Sequence, residues 1–300
     1  MRDFTTHVAG GDYFEGLRWH RGHWYASDAF GGTVFRVEHG GARTELLEVD
    51  ALCSGIGWLP DDDLLVVSLK DRTVLRHSAA DGVTRVHADL SGLSEHWIND
   101  MFVDAAGRAW IGGMGFDIVN GAPPETGALY RVDPDGSAHI AAQDLWFPNG
   151  IVGTDDGSTL VVAETFAGRL TAFTVGDDGT LSGRRVLGEF GPMPDPSGGA
   201  AAMLGGLALA PDGLTIDRED HVWVADAANR RCVRVSPAGE IVDEVAAPGG
   251  VNLYSCALGG PGGDHLMLAL AEGFFEAAQG VTGTASLVST RVDVPAVEGR

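Results

Sequence analysis

Residues 147–164 read "FPNGIVGTDDGSTLVVAE". A Pro-Asn-Gly corner enters an apolar run, the polar turn "TDDGS" follows, and a second apolar run starts at Leu160, eleven positions after Asn149. Two short apolar runs about a turn rich in Asp and Gly are the signature of a β-hairpin. One hairpin decides no fold, but the same spacing recurs along the chain, and recurrence does. Asn99 precedes "WIGG" at Trp110 by eleven residues, as Asp212 precedes "WVAD" at Trp223, Ser54 precedes "LVVS" at Leu65 and Ser255 precedes "LMLA" at Leu266. The first copy runs from Glu15 to "WYASD" at Trp24, two residues shorter because its turn "HRGH" is tighter. Most copies continue into a further strand of one style, such as "TVFRVEHGG", "ALYRVDPDG" or "CVRVSPAGE".

Six copies of this unit, with no amphipathic helix of ordinary length between Phe4 and Val294, predict an all-β fold. The architecture is a six-bladed β-propeller with four-stranded antiparallel blades around a central channel. The terminal segments "FTTHVAG" and "ASLVSTRVDV" are expected to complete and close the ring, so that 1–300 forms one domain. The 44 glycines and 13 prolines follow no collagen-like period, and so read as turns between short strands.

With 42 acidic against 20 basic residues the formal charge is −22. That excludes non-specific binding to nucleic acid or to an anionic membrane, since both need a basic face. The three cysteines Cys53, Cys232 and Cys256 are an odd number in a long chain and read as buried thiols in a reducing compartment. The first residues have no apolar core of signal-peptide length, and no apolar run is long enough to span a bilayer. A cytoplasmic protein acting on a small-molecule substrate is expected, without nucleic-acid or membrane partners.

In a propeller, one register of the innermost strands converges on one end of the channel. The corner register gathers Glu15, Ser54, Asn99, Asn149, Asp212 and Ser255, all with oxygen-bearing side chains. Asn, Asp and Ser are ordinary turn residues, and any one of them is explained that way. Glu15 is not. Two carboxylates and several neutral oxygens without a thiol or imidazole suit one hard divalent cation, Ca²⁺ above Zn²⁺, Mn²⁺ or Mg²⁺.

The segments "FEGLRW", "NDMFVDAAGRAWIGGMG", "FPNGIV", "PDGLTIDREDHVWVAD" and "SCALGGPGGDHLMLA" occur in order along nearly the whole chain. In them the sequence resembles the senescence marker protein / gluconolactonase (regucalcin-like) family. The resemblance implies a metal-dependent hydrolase of lactones or related esters. It implies Glu15, Asn149 and Asp212 as metal ligands and Asn99 as a further ligand or substrate contact. Asp212 would double as the catalytic base that takes a proton from water, or as a nucleophile in a phosphotriesterase-like variant.

One position departs from the pattern. Sugar-lactone hydrolases of this family carry an Arg two residues before the Asn of "ND", where this chain has Trp97. An indole offers a flat apolar face and one donor in place of a bidentate fork. The loop after "GGMG" carries Phe116, Ile118 and Val119 around a single Asp117. Trp97, Phe116 and the neighbouring His96 are therefore expected at the substrate, which would be more apolar than a sugar lactone. The segments 114–127 and 191–206 interrupt the repeat and read either as a lid over the channel or as connectors. Two other function classes stay open at this point: a non-catalytic propeller that binds Ca²⁺ or a ligand, and a metal-assisted isomerase or cyclase of a biosynthetic pathway.

Overall fold

A computed structural model of the chain describes residues 2–38, 41–50 and 52–297. Its strands form six sheets of four antiparallel strands each, among the described residues. Five sheets are built from four consecutive strands. The sixth joins the N-terminal strand Thr5–Gly11 to the C-terminal strand Ala285–Arg291, which completes the ring with both ends of the chain. The expected six-bladed propeller is present, closed at the expected segments.

Burial follows position within a blade. The second strands Leu64–Ser68, Ala109–Gly113 and Val222–Asp226 are buried throughout, which explains why they read as unbroken apolar runs rather than alternating ones. The outermost strands Thr84–Asp89 and Ile241–Ala246 are largely exposed. The core is divided among the gaps between neighbouring blades. Val34, Leu47 and Val49 of blade one pack on Cys53, Ile56 and Val66 of blade two, and Val152 and Leu170 of blade four pack on Leu214 and Val224 of blade five. Cys53, Cys232 and Cys256 are all free and buried in these layers. No helix among the described residues is long and apolar enough to cross a membrane. The two α-helices among the described residues are short: α1, Gly199–Gly206, and α2, Phe274–Ala278.

The inner strands are Phe14–His20, Cys53–Trp58, Ile98–Val103, Pro148–Gly153, Pro211–Ile216 and Asn252–Gly259. Each packs on the next around the ring, the last on the first. In every one the pairing with the second strand slips at the corner residue or, in blade six, one residue before it: between Glu15 and Arg18, Cys53 and Ile56, Ile98 and Met101, Pro148 and Ile151, Pro211 and Leu214, and Leu253 and Ser255. A bulge of this kind bends a strand and re-aims a side chain. The reading of Asn149-Gly150 as a tight corner ahead of a strand is thus corrected, because the strand already begins at Pro148.

Gly150 is there for space. A Cβ on it would sit 2.2 Å from the Asp212 carbonyl oxygen, and one on Gly55 would sit 2.2 Å from the Met101 nitrogen. Neighbouring inner strands meet backbone to backbone at the bulges, closer than any side chain allows. Gly150→Ala is accordingly expected to lose at least about 1–3 kcal/mol of stability by overpacking. Gly92→Ala, where a Cβ meets nothing within 4 Å, is the control and should stay near wild type. Urea unfolding measures both; equal stability of the two variants contradicts this account of the ring.

Candidate metal centre

Glu15, Ser54, Asn99, Asn149 and Asp212 are buried and line the channel. In blade six the slip falls at Tyr254, which lines the channel in place of the expected Ser255; Ser255 is buried and paired with Ala269. A line of hydrogen bonds crosses four blades. Ser54 Oγ donates to Asn99 Oδ1 at 3.2 Å, and Asn99 Nδ2 donates to Asn149 Oδ1 at 2.8 Å. Asn149 Nδ2 donates to Thr165 Oγ1 at 3.3 Å, and that hydroxyl donates to the Pro211 carbonyl at 2.7 Å. The two amides are thereby oriented, and each amide oxygen keeps a second lone pair.

The carboxylates are not compensated in this way. Asp212 Oδ1 is buried without a hydrogen-bond partner. Burial first, then the charges of Asp212 and Asp100, push the Glu15 carboxyl well above the usual carboxylate range. Burial and the Asp100 charge do the same to Asp212, against opposing hydrogen bonds from the Asn149 side chain and the Gly213 backbone. Asp100 itself is buried and paired with Arg18, at 3.3 Å between Nη2 and Oδ1. Glu15, Asp100 and Asp212 against the one guanidinium of Arg18 leave two negative charges uncompensated. Like charges in a dry site resist joint ionisation unless a cation joins them.

An orphaned buried carboxylate oxygen, two uncompensated charges and oriented amide oxygens fit a hard dication, with Ca²⁺ the best match to an oxygen-only set. No group of three or more His, Cys, Asp or Glu gathers as a metal set anywhere among the described residues, the channel included, so the amide oxygens are needed to complete a donor set there. Glu15, Asn149 and Asp212 could supply the donors, with Asn99 beside them.

Above this polar floor the cavity is aromatic. Tyr13, Phe30, Phe147, Phe166, Tyr254 and Phe274 line it. The Tyr13 and Tyr254 rings lie 4.9 Å apart, and those of Phe147 and Phe166 lie 5.1 Å apart, edge to face. Both interrupting segments reach the wall, 114–127 through Met114 and Ile118 and 191–206 through Leu204 of α1. Met203 of α1 is fully buried in the same cluster, so the helix is seated there rather than spanning a gap.

The structure thus brings Glu15, Asn99, Asn149 and Asp212 together as the sequence predicts. It does not bring His96, Trp97 and Phe116 to them. These three line a separate cavity with Lys70, Arg72 and Glu95. Met114 and Ile118 line both cavities and form the partition between them. Phe116 packs behind the wall, 5.6 Å from the Phe166 ring. The aromatic wall itself was missed by sequence reasoning. Part of it had a signal: Tyr13, Leu52 and Phe147 stand two residues before their corner residues, the register that Trp97 also holds. The contributions of α1 and α2 come from segments outside the repeat and carry no such signal.

With this geometry in hand, similarity to known proteins is informative. Residues 14–272 match the model of the SMP-30/gluconolactonase/LRE-like region. The chain is 26% identical to the 6-deoxy-6-sulfogluconolactonase of Pseudomonas putida over 75% of its length and 71% of that relative. It is 28% identical to a pentonolactonase of Haloferax volcanii over 66% of its length and 62% of that relative. Its fold matches a luciferin-regenerating enzyme with a TM-score of 0.79 at 22% identity, over 100% of this chain and 98% of that one. It also matches a calcium-binding regucalcin of Agrobacterium tumefaciens with a TM-score of 0.76 at 21% identity, over 99% and 98%. The chain belongs to the SMP-30/gluconolactonase/LRE-like family.

Proposed function

We propose that this protein hydrolyses a lactone or related ester in a divalent-cation-dependent reaction, and that its substrate is more apolar than a sugar lactone. The observation that carries this reading is a floor of Glu15, Asn99, Asn149 and Asp212 beneath a wall of aromatic rings. The names of the curated relatives, sulfogluconolactonase and pentonolactonase, support the reaction class. The wall supports the substrate class: it offers ring faces and methyl groups where a polyhydroxylated substrate needs hydrogen-bond partners.

Glu15, Asn149 and Asp212 would hold the cation. When bound, it supplies electrophilic polarisation of the ester carbonyl. Asp212 acts as general base and takes a proton from the attacking water. The water oxygen adds to the carbonyl carbon, the ring C–O bond breaks, and the proton passes to the departing alkoxide. One water is consumed and a hydroxy acid is released. The aromatic wall orients the ring and keeps bulk water away from the buried carboxylates.

On a panel of lactones at saturating Ca²⁺, alkyl- or aryl-substituted members are expected to show higher kcat/KM than polyhydroxylated aldonolactones. The reverse order contradicts the substrate assignment, and no turnover on any member contradicts the reaction. Asp212→Asn keeps the shape of the side chain but removes the base, and its kcat is expected to fall by about 10²–10⁴-fold at any cation concentration. Glu15→Gln chiefly weakens cation affinity, so excess cation should restore it. Full restoration of both variants would assign the base to another residue.

The raised Glu15 and Asp212 carboxyls also set a pH dependence. The fold favours their protonated forms, so cation-free protein gains stability below the ordinary carboxylate range and loses it as pH rises through the raised values. Tm measured in EDTA should therefore fall from mildly acidic to neutral pH, and saturating Ca²⁺ should remove that fall. A Ca²⁺ shift in Tm that is equal at both ends of the range contradicts the assignment.

A further inference from the structure

The six second strands end in "WYASD", "LVVS", "WIGG", "LVVAE", "WVAD" and "LALA". Three of the six end in an acid, and they belong to blades one, four and five. Those are the blades whose corner residues are Glu15, Asn149 and Asp212. The coincidence is structural. Asp28 pairs across the sheet with Phe14, Glu164 with Pro148 and Asp226 with Pro211, in each case the residue immediately before the corner. The same register in blades two and three holds Ser68 opposite Cys53 and Gly113 opposite Ile98, and in blade six Leu270 stands opposite Leu253.

Each acid grips the loop that delivers its corner residue. Asp28 Oδ1 accepts from the backbone N–H of Asp12 at 3.0 Å and of Tyr13 at 3.1 Å. Glu164 Oε2 accepts from Trp146 at 2.8 Å, and Asp226 Oδ1 accepts from Ala210 at 3.0 Å. Each is also matched with an arginine of its own blade: Arg43 at 3.3 Å, Arg169 through two bonds of 2.9 Å, and Arg231 at 2.9 Å. Asp28 is 5% exposed, and Glu164 and Asp226 are wholly buried. Burial works to raise the Glu164 carboxyl, but the bonds from Arg169, Thr171 and the Trp146 backbone hold it below the usual range.

A buried ion pair contributes little net stability compared with apolar packing, and at this register blades two, three and six hold Ser68, Gly113 and Leu270 in place of an acid. Its use in blades one, four and five is geometric. We propose that Asp28, Glu164 and Asp226 are positioning residues, which fix the entry loops so that Glu15, Asn149 and Asp212 are held in place for the cation. The inference rests on the metal reading above. It assigns these carboxylates no contact with substrate or cation.

The test is calorimetric titration of Ca²⁺ into Asp28→Asn, Glu164→Gln, Asp226→Asn and, as a control in the same register, Ser68→Ala. Tm in EDTA is measured for each. Loss of an outer support of this kind typically weakens metal binding about 10–100-fold. The three amide variants are expected to show a Ca²⁺ Kd raised by about that factor, with the control near wild type. Conversely, a Kd unchanged in all three while Tm falls assigns the carboxylates to folding alone and overturns the proposal. A variant that fails to fold is replaced by removal of its arginine, Arg43→Gln, Arg169→Gln or Arg231→Gln, judged by the same Kd criterion. If wild-type protein takes up no divalent cation, the metal reading itself fails, an outcome distinct from unchanged affinity in the variants.

Discussion

The close approach of six inner strands at one level of the channel is the constraint on which the rest depends. Sheets that pack face to face around a ring must crowd their innermost edges, and here the crowding reaches backbone against backbone at Gly16, Gly55, Gly150 and Gly213. Each inner strand relieves it with a bulge, and the bulge turns the side chain before or at that point into the shared space. Five oxygen-bearing side chains, Glu15, Ser54, Asn99, Asn149 and Asp212, and the Tyr254 ring of blade six are thus committed to one small shared volume. Whatever occupies those six positions defines the chemistry of the molecule, since the packing that brings them there is supplied by the apolar layers between blades.

Much of this was legible in the sequence because the repeat keeps a constant register. The eleven-residue offset from Asn149 to Leu160 recurs from Asn99, Asp212, Ser54 and Ser255, and that one regularity gives both the blades and the residues that converge. The conformation at the register was harder to read. Asn-Gly is a strong turn signal, yet Asn149-Gly150 lies within a strand, because the glycine answers to a neighbour 62 residues away rather than to its own backbone. Trp97 shows a second limit. It shares its register with Tyr13, Leu52 and Phe147, which line the cavity, but the loop carrying Met114 and Ile118 intervenes and leaves the indole on the other side. The residues of α1 and α2 that complete the wall arise in non-repeating segments, where periodicity says nothing.

The electrostatics of the channel and the chemistry of its wall point the same way. Glu15 and Asp212 repel each other across a buried floor, Asp100 adds to that repulsion, and Arg18, paired with Asp100, opposes the rise at Glu15 without overcoming it. A divalent cation, as proposed, would satisfy the orphaned oxygen of Asp212 and let both carboxylates ionise. The aromatic rings above contribute no charge and few hydrogen bonds, so under the proposed function they would recognise an apolar ring while the floor would carry the reaction. The buried acids Asp28, Glu164 and Asp226 extend this division of labour outward into the blades that supply the proposed ligands.

The central claim is that one divalent cation occupies the floor of the channel. Anomalous diffraction from crystals grown with Mn²⁺ or a lanthanide in place of Ca²⁺ tests it most directly, because the signal reports the position of the ion and not merely its presence. The account predicts a single strong peak within coordination distance of Glu15, Asn149 and Asp212. Peaks confined to surface carboxylates, with none in the channel, would contradict it.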